Sequence, residues 1–201
     1  HQNKENIRKE PAGPESSRMS QKMEAGAVGS FLGVRECDVT LAIAEKTKQV
    51  LTERGYQVIM TRESNDVNMS WAERARLAEK SGADALIHIH AHSQESTSVT
   101  GVLASCQSSG NSYNGDLASE SYALSSCIAG SVSQAAGAKN RGVKQTDTSS
   151  EINWSQVPVT SLETGFLSNQ QEELLLSQEE YQSRIAVGIA DGLDQFFAGR
   201  R

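Results

Sequence analysis

The chain has 201 residues, a formal net charge of −6 and a pI near 5.3, and only 5% of its residues are aromatic. That acidic balance argues against nucleic acid or an anionic membrane as partner, and so few aromatic rings provide no platform for stacking bases. No run approaches the roughly 20 consecutive apolar residues of a membrane span, so no transmembrane segment is expected and the length suits one domain with a real core.

The first thirty-odd residues are rich in Lys, Glu, Ser, Gly and Pro, with PAGPESS at Pro11–Ser17, and read as a long loop with one short helix. Order then begins. Apolar residues at helical spacing, Val39, Ile43, Val50 and Leu51, predict a helix over Glu36–Arg54 that stops at Gly55. YQVIMT at Tyr56–Thr61 has the composition of a strand. SWAERARLAEK at Ser70–Lys80 opens with Ser70 and, three residues on, Glu73, the capping-box pattern of a helix start.

DALIHIHAHS at Asp84–Ser93 follows, a strand with His88, His90 and His92 at every second position. A strand sends alternate side chains to opposite faces, so the imidazoles share one face while Ala85, Ile87, Ile89 and Ala91 share the other. Further along come a strand at Gly101–Cys106, the polar turn SSGNSYNGD, and a helix over Leu117–Ala136. A short extended piece lies near Gly142–Thr146, and VPVTSLETGF at Val157–Phe166 reads as a buried strand and its exit. Two helices close the chain, the second with Ile185, Ile189, Leu193 and Phe196 on one face. Helices alternating with strands predict one α/β domain over residues 1–201, a mostly parallel twisted sheet with helices on both faces. Cys37, Cys106 and Cys127 lack metal-site spacing and are expected to be mostly buried or inert thiols, a bridge between Cys106 and Cys127 being the alternative.

Sheets of this kind place chemistry at strand ends. His90 stands near the end of its strand, Glu163 near the end of VPVTSLE, and Glu36 opens the first long helix; His1 adds a further imidazole. Two imidazoles and a carboxylate form a catalytic zinc set with a position open for water, and a second carboxylate can serve as general base. Other readings remain open at this point. Glu36 can act only on the helix dipole, Glu163 can pair with Arg141, and His88 with His90 can chelate one metal as an alternative pair.

The chain resembles the zinc-dependent N-acetylmuramoyl-L-alanine amidases of the amidase_3 type, bacterial cell-wall hydrolases. The resemblance rests on HQN at His1–Asn3, GVRECDVTL at Gly33–Leu41, IHAH at Ile89–His92 and PVTSLETGFLSN at Pro158–Asn169. TRESND at Thr61–Asp66, ERARLAEKSGADALI at Glu73–Ile87 and RGVK at Arg141–Lys144 extend it over nearly the whole chain. It implies hydrolysis of the amide between the muramyl lactyl group and L-alanine in peptidoglycan. It also implies zinc bound by His1, Glu36 and His90, with Glu163 as the catalytic carboxylate. His88 and His92 stand where the family has other polar residues, so substrate contact or hydrogen bonding is expected of them, as of Arg141 and Asn169.

By the same resemblance the enzyme acts outside the bacterial cytoplasmic membrane, with an export signal and any wall-binding domains beyond this stretch. The family's central strand, ending just before the histidine, is expected upstream of residue 1, and residues 2–35 are expected to be an insert that shapes the substrate groove or covers it through Glu24. Two other functions fit the same residues: a zinc peptidase or carboxypeptidase on wall peptides, and a non-catalytic wall-binding module.

Overall fold

A computed structural model describes residues 1–200. The chain opens with a hairpin of β1 (Asn6–Pro11) and β2 (Met19–Met23), followed by helices α1 (Glu36–Glu53) and α2 (Trp71–Lys80). Then come β3 (Leu86–His92), β4 (Val102–Cys106), α3 (Ala118–Ala136), β5 (Asn140–Gln145) and a four-residue helix α4 (Ser150–Asn153). β6 (Val159–Phe166), α5 (Gln170–Leu176) and α6 (Glu179–Ala198) complete it.

The main sheet runs β3-β6-β4-β5. β3 pairs with β6 and β4 with β5 in parallel, whereas β4 and β6 are antiparallel. It is the α/β architecture that the alternation of elements predicts, mostly parallel with one antiparallel seam. The two faces of β3 are divided as the alternation requires. Ile87 and Ile89 pack into the larger core with Ile43 and Leu51 of α1, Ile128 of α3 and Ile189 of α6. His88 and His90 face the other layer, where their rings meet Trp71 at the start of α2. A smaller cluster of Ala78, Leu86, Ile152 and Val159 seals that second layer between α2, α4 and the sheet.

Local chemistry sets the helix ends. Ser70 accepts from the Glu73 backbone while the Glu73 carboxylate accepts from the Ser70 backbone, so the capping box at α2 is complete. α3 ends at Gly137, whose φ of 66° is the left-handed turn that costs glycine least. On α6, a Cβ at Gly188 or Gly192 would lie 2.6 Å from the Cα of Val132 or Ile128, so α3 and α6 touch through their backbones.

Two expectations need correction. The expected loop in the first thirty-odd residues contains the β1–β2 hairpin, which its charged composition hides; it is held by docking, with Ala12 and Met23 fully buried. Tyr56–Thr61 does not form a strand. Strand-forming residues become a strand only when another backbone pairs with them, and here a cavity of about 580 Å³ separates this run from β3, which is the edge of its sheet. His1 and His90 line the same cavity. The three cysteines are free thiols, with Cys37 and Cys106 buried, as expected.

Candidate active site

Glu36 is the first residue of α1, and its carboxylate is held on both oxygens. Oε2 accepts from the Ala27 N–H at 2.7 Å, and Oε1 accepts from the Ala91 N–H at 3.2 Å. Oε1 also faces two imidazoles, His90 Nδ1 at 3.0 Å and His1 Nε2 at 3.5 Å. The His1 ring is fixed from behind: its Nδ1 lies 2.9 Å from the Glu24 carbonyl and its face meets Trp71 edge-on. A carbonyl can only accept, so Nδ1 carries the proton and the Nε2 lone pair is turned to Glu36.

Among the described residues, His1, Glu36 and His90 are the group of His, Cys, Asp or Glu side chains whose donor atoms lie within 4.8 Å of one another. Two imidazole nitrogens and one carboxylate oxygen at such separations suit a zinc ion with one position left for water. The donor set and its spacing therefore fit the metal.

Two further carboxylates approach the cluster. Glu163 lies on β6 directly across the strand pair from His90. Its Oε2 is buried without a hydrogen-bond partner. Burial pushes the Glu163 carboxyl up to about 7, with the Glu36 and Glu151 charges adding to the rise against the pull of His90. Glu151 on α4 places Oε2 2.8 Å from His90 Nε2. Burial would raise its pKa, but the His90 charge and hydrogen bond hold it well below the usual carboxylate range. For His90 itself burial works downward, and the carboxylates of Glu151 and Glu36 hold the imidazole well above its ordinary value.

The remaining predicted residues have other surroundings. Burial lowers His88 to about 4, its Nε2 has no partner, and its Nδ1 is 3.9 Å from Glu151. It lines the cluster beside Trp71. His92 is exposed at the end of β3 with its ring against Phe166, and the Arg141 guanidinium lies over the same ring at 5.8 Å from the centroid. Arg141 donates to the Thr100 carbonyl and is not the partner of Glu163. Asn169 caps α5, accepting from the backbone of Gln171 and Glu172 while its amide donates to Thr97. The Glu24 carboxylate accepts from Trp71 Nε1 at 2.9 Å, so its side chain braces the wall of the site. Glu151 escaped the sequence reading because nothing in TDTSSEINWSQ marks that acid as more than a polar loop residue.

The Amidase_3 family, described as N-acetylmuramoyl-L-alanine amidase, matches residues 16–195. The chain belongs to this amidase family. Its match begins after His1, so that residue's place in the site rests on the geometry above. Among its relatives is the N-acetylmuramoyl-L-alanine amidase LytC of Bacillus subtilis, 30% identical over 87% of this chain and 33% of LytC. The chain thus spans about a third of that relative's length. The solved catalytic domain of CwlV, an N-acetylmuramoyl-L-alanine amidase from Bacillus (Paenibacillus) polymyxa var. colistinus, is 29% identical with a TM-score of 0.77, covering 87% of this chain and 92% of that one. The amidase Ami1 from Mycobacterium smegmatis shares the fold, with a TM-score of 0.87 at 20% identity over 99% of this chain and 92% of its own. No helix among the described residues is long and apolar enough to cross a membrane.

Proposed function

We propose that this amidase hydrolyses the bond between the muramyl lactyl carbonyl and the L-alanine nitrogen of peptidoglycan with one zinc ion held by His1, Glu36 and His90. The observation that carries the reading is the pairing of two unlike sites across β3 and β6: a metal-ligand triad, and a carboxylate whose buried oxygen has no partner. The zinc, when bound, supplies Lewis acidity toward a water and toward the amide carbonyl.

The protein's own groups handle the protons. An amide is a poor electrophile with a poor leaving group, so both attack and departure need assistance. Glu163 Oε2, free of internal hydrogen bonds, takes a proton from the attacking water. The same oxygen then gives that proton to the departing alanine nitrogen. Trp71 and the Glu24 carbonyl hold the His1 ring in place, while the two backbone N–H groups on Glu36 orient its carboxylate.

Residues 1–201 serve as one catalytic unit, with the hairpin of the 2–35 insert forming a rim of the groove. His92 and Arg141, grouped on Phe166, are assigned to the stem peptide. The enzyme works at the bacterial wall, outside the cytoplasmic membrane. Mass analysis of digested peptidoglycan tests the activity: free stem peptides and unsubstituted muramyl groups are expected, abolished by a chelator and restored by zinc. Trimmed peptides would make the protein a peptidase, and full activity after metal removal would end the zinc mechanism.

A further inference from the structure

His90 is gripped on both edges of its ring. Nδ1 points to Glu36 Oε1 at 3.0 Å and Nε2 to Glu151 Oε2 at 2.8 Å. Glu151 does not join the group formed by His1, Glu36 and His90, so it stands behind the ring and not among the candidate ligands. A carboxylate can only accept here. In the metal-free ring both nitrogens face carboxylates; with a cation held between Nδ1 and Glu36, Nδ1 would give its lone pair and Nε2 alone would keep a proton, donated to Glu151.

We propose that Glu151 is a positioning residue for His90: it sets the ring's orientation and tautomer and strengthens electron donation from Nδ1. The proposal rests on the zinc reading above and adds to it a residue that no sequence motif marked. His88 does not compete for this carboxylate, since its Nδ1 lies beyond hydrogen-bond reach at 3.9 Å.

The way α4 is built supports the assignment. Four residues make barely one turn, too little to be rigid alone. The turn is pinned from outside. Asn114 donates to the carbonyls of Ile152 and Ser155 at 2.8 and 2.9 Å, and Asn153 donates to Ala12 and Asp147 at 3.2 and 3.1 Å. Trp154 Nε1 reaches the Pro11 carbonyl at 2.8 Å, and Ser150 Oγ donates to Ser20 Oγ at 2.7 Å. These last contacts tie α4 to the β1–β2 hairpin. So the hairpin has a second task besides forming a rim: it fixes the platform from which Glu151 reaches His90.

The test is zinc affinity, measured by competition with a chromophoric chelator on the whole chain. Loss of such an outer carboxylate typically weakens metal binding about 10–100-fold, which is the expectation for Glu151→Ala. Glu151→Gln keeps an acceptor without the charge and should fall between that variant and wild type. In the cobalt-substituted protein, Glu151→Ala should also change the visible absorption bands, a signature that mere loss of stability does not produce. Should the alanine variant fail to fold, the isosteric glutamine variant decides. Wild-type zinc affinity in Glu151→Gln, or hydrolysis faster than wild type in Glu151→Ala at saturating zinc, would overturn the proposal; the second result would make Glu151 a block. A wild type that binds no zinc would instead remove the metal reading beneath it.

Discussion

Glu172 and Glu173 at the start of α5 invite comparison with Glu163 on the strand before them. Glu173 has no exposed surface, yet Oε2 accepts from Phe31 N–H at 2.9 Å and Oε1 from Leu32 and Val34 N–H at 2.9 and 3.1 Å. Glu172 is treated alike, with Gly101 N–H on one oxygen at 2.6 Å and Phe166 N–H on the other at 2.7 Å. Glu163 Oε2 is buried with no partner at all. The α5 acids staple loops to the sheet and are saturated by the backbone. An acid proposed, as Glu163 is, to exchange protons with a substrate has to keep a lone pair free, and the fold bears the cost of leaving it so.

The largest expected effect of breaking that contrast is kinetic. Glu163→Gln keeps the volume but cannot accept the water's proton, so the hydrolysis rate should fall about 10²–10⁴-fold with zinc content unchanged. Metal analysis and turnover on one preparation check it; an active variant would take Glu163 out of the mechanism.

Next in size is a stability effect without a kinetic one. Glu173→Ala leaves three N–H groups of the 31–34 loop without their acceptor, which should destabilise the fold by about 3 kcal/mol in chemical denaturation. The rate per folded molecule should stay close to wild type. A large drop in that rate would show that the loop reaches the substrate.

The smallest effect concerns pH in the metal-free protein. Glu163 is raised from an ordinary 4.5 to about 7, so between those values the folded chain keeps a proton that the unfolded chain releases. Stability is therefore unpenalised below about pH 4.5 and is lost as pH rises through 7. Metal-free Glu163→Gln lacks this loss and should lose about 2–3 kcal/mol less than metal-free wild type between pH 5 and pH 8. Parallel stability curves for the two would mean that water or a neighbour solvates the carboxylate.

The elements that the sequence announces are those whose signal is local. Ser70 and Glu73 write the α2 start into four residues, and the alternation in LIHIHAH states which side chains share a face of β3. The hairpin was hidden because NIRKEP and MSQKM contain few strand formers and are held by docking onto α2 and α4. Tyr56–Thr61 misled for the opposite reason, since its composition suits a strand and none forms there. At the site, His1, Glu36 and His90 lie far apart in the chain, and only the resemblance to the amidases joined them before the fold did. Glu151 had neither kind of signal. Its relevance depends on where a four-residue turn ends up, which is a property of the assembled structure.

Gly188 and Gly192 press against α3, yet the arrangement behaves as a lever. α6, which they press against α3, also leans on α1, and α1 is a rigid rod about 27 Å long with Glu36 at its tip. A methyl group added at either glycine would wedge α6 away from α3. If α1 followed by a tilt of only about 3°, its tip would swing by about 1.4 Å over that length. Metal-ligand distances tolerate about 0.2 Å. Two absent side chains on the far side of the sheet thus set the tolerance to which Glu36, the proposed metal ligand, would be held.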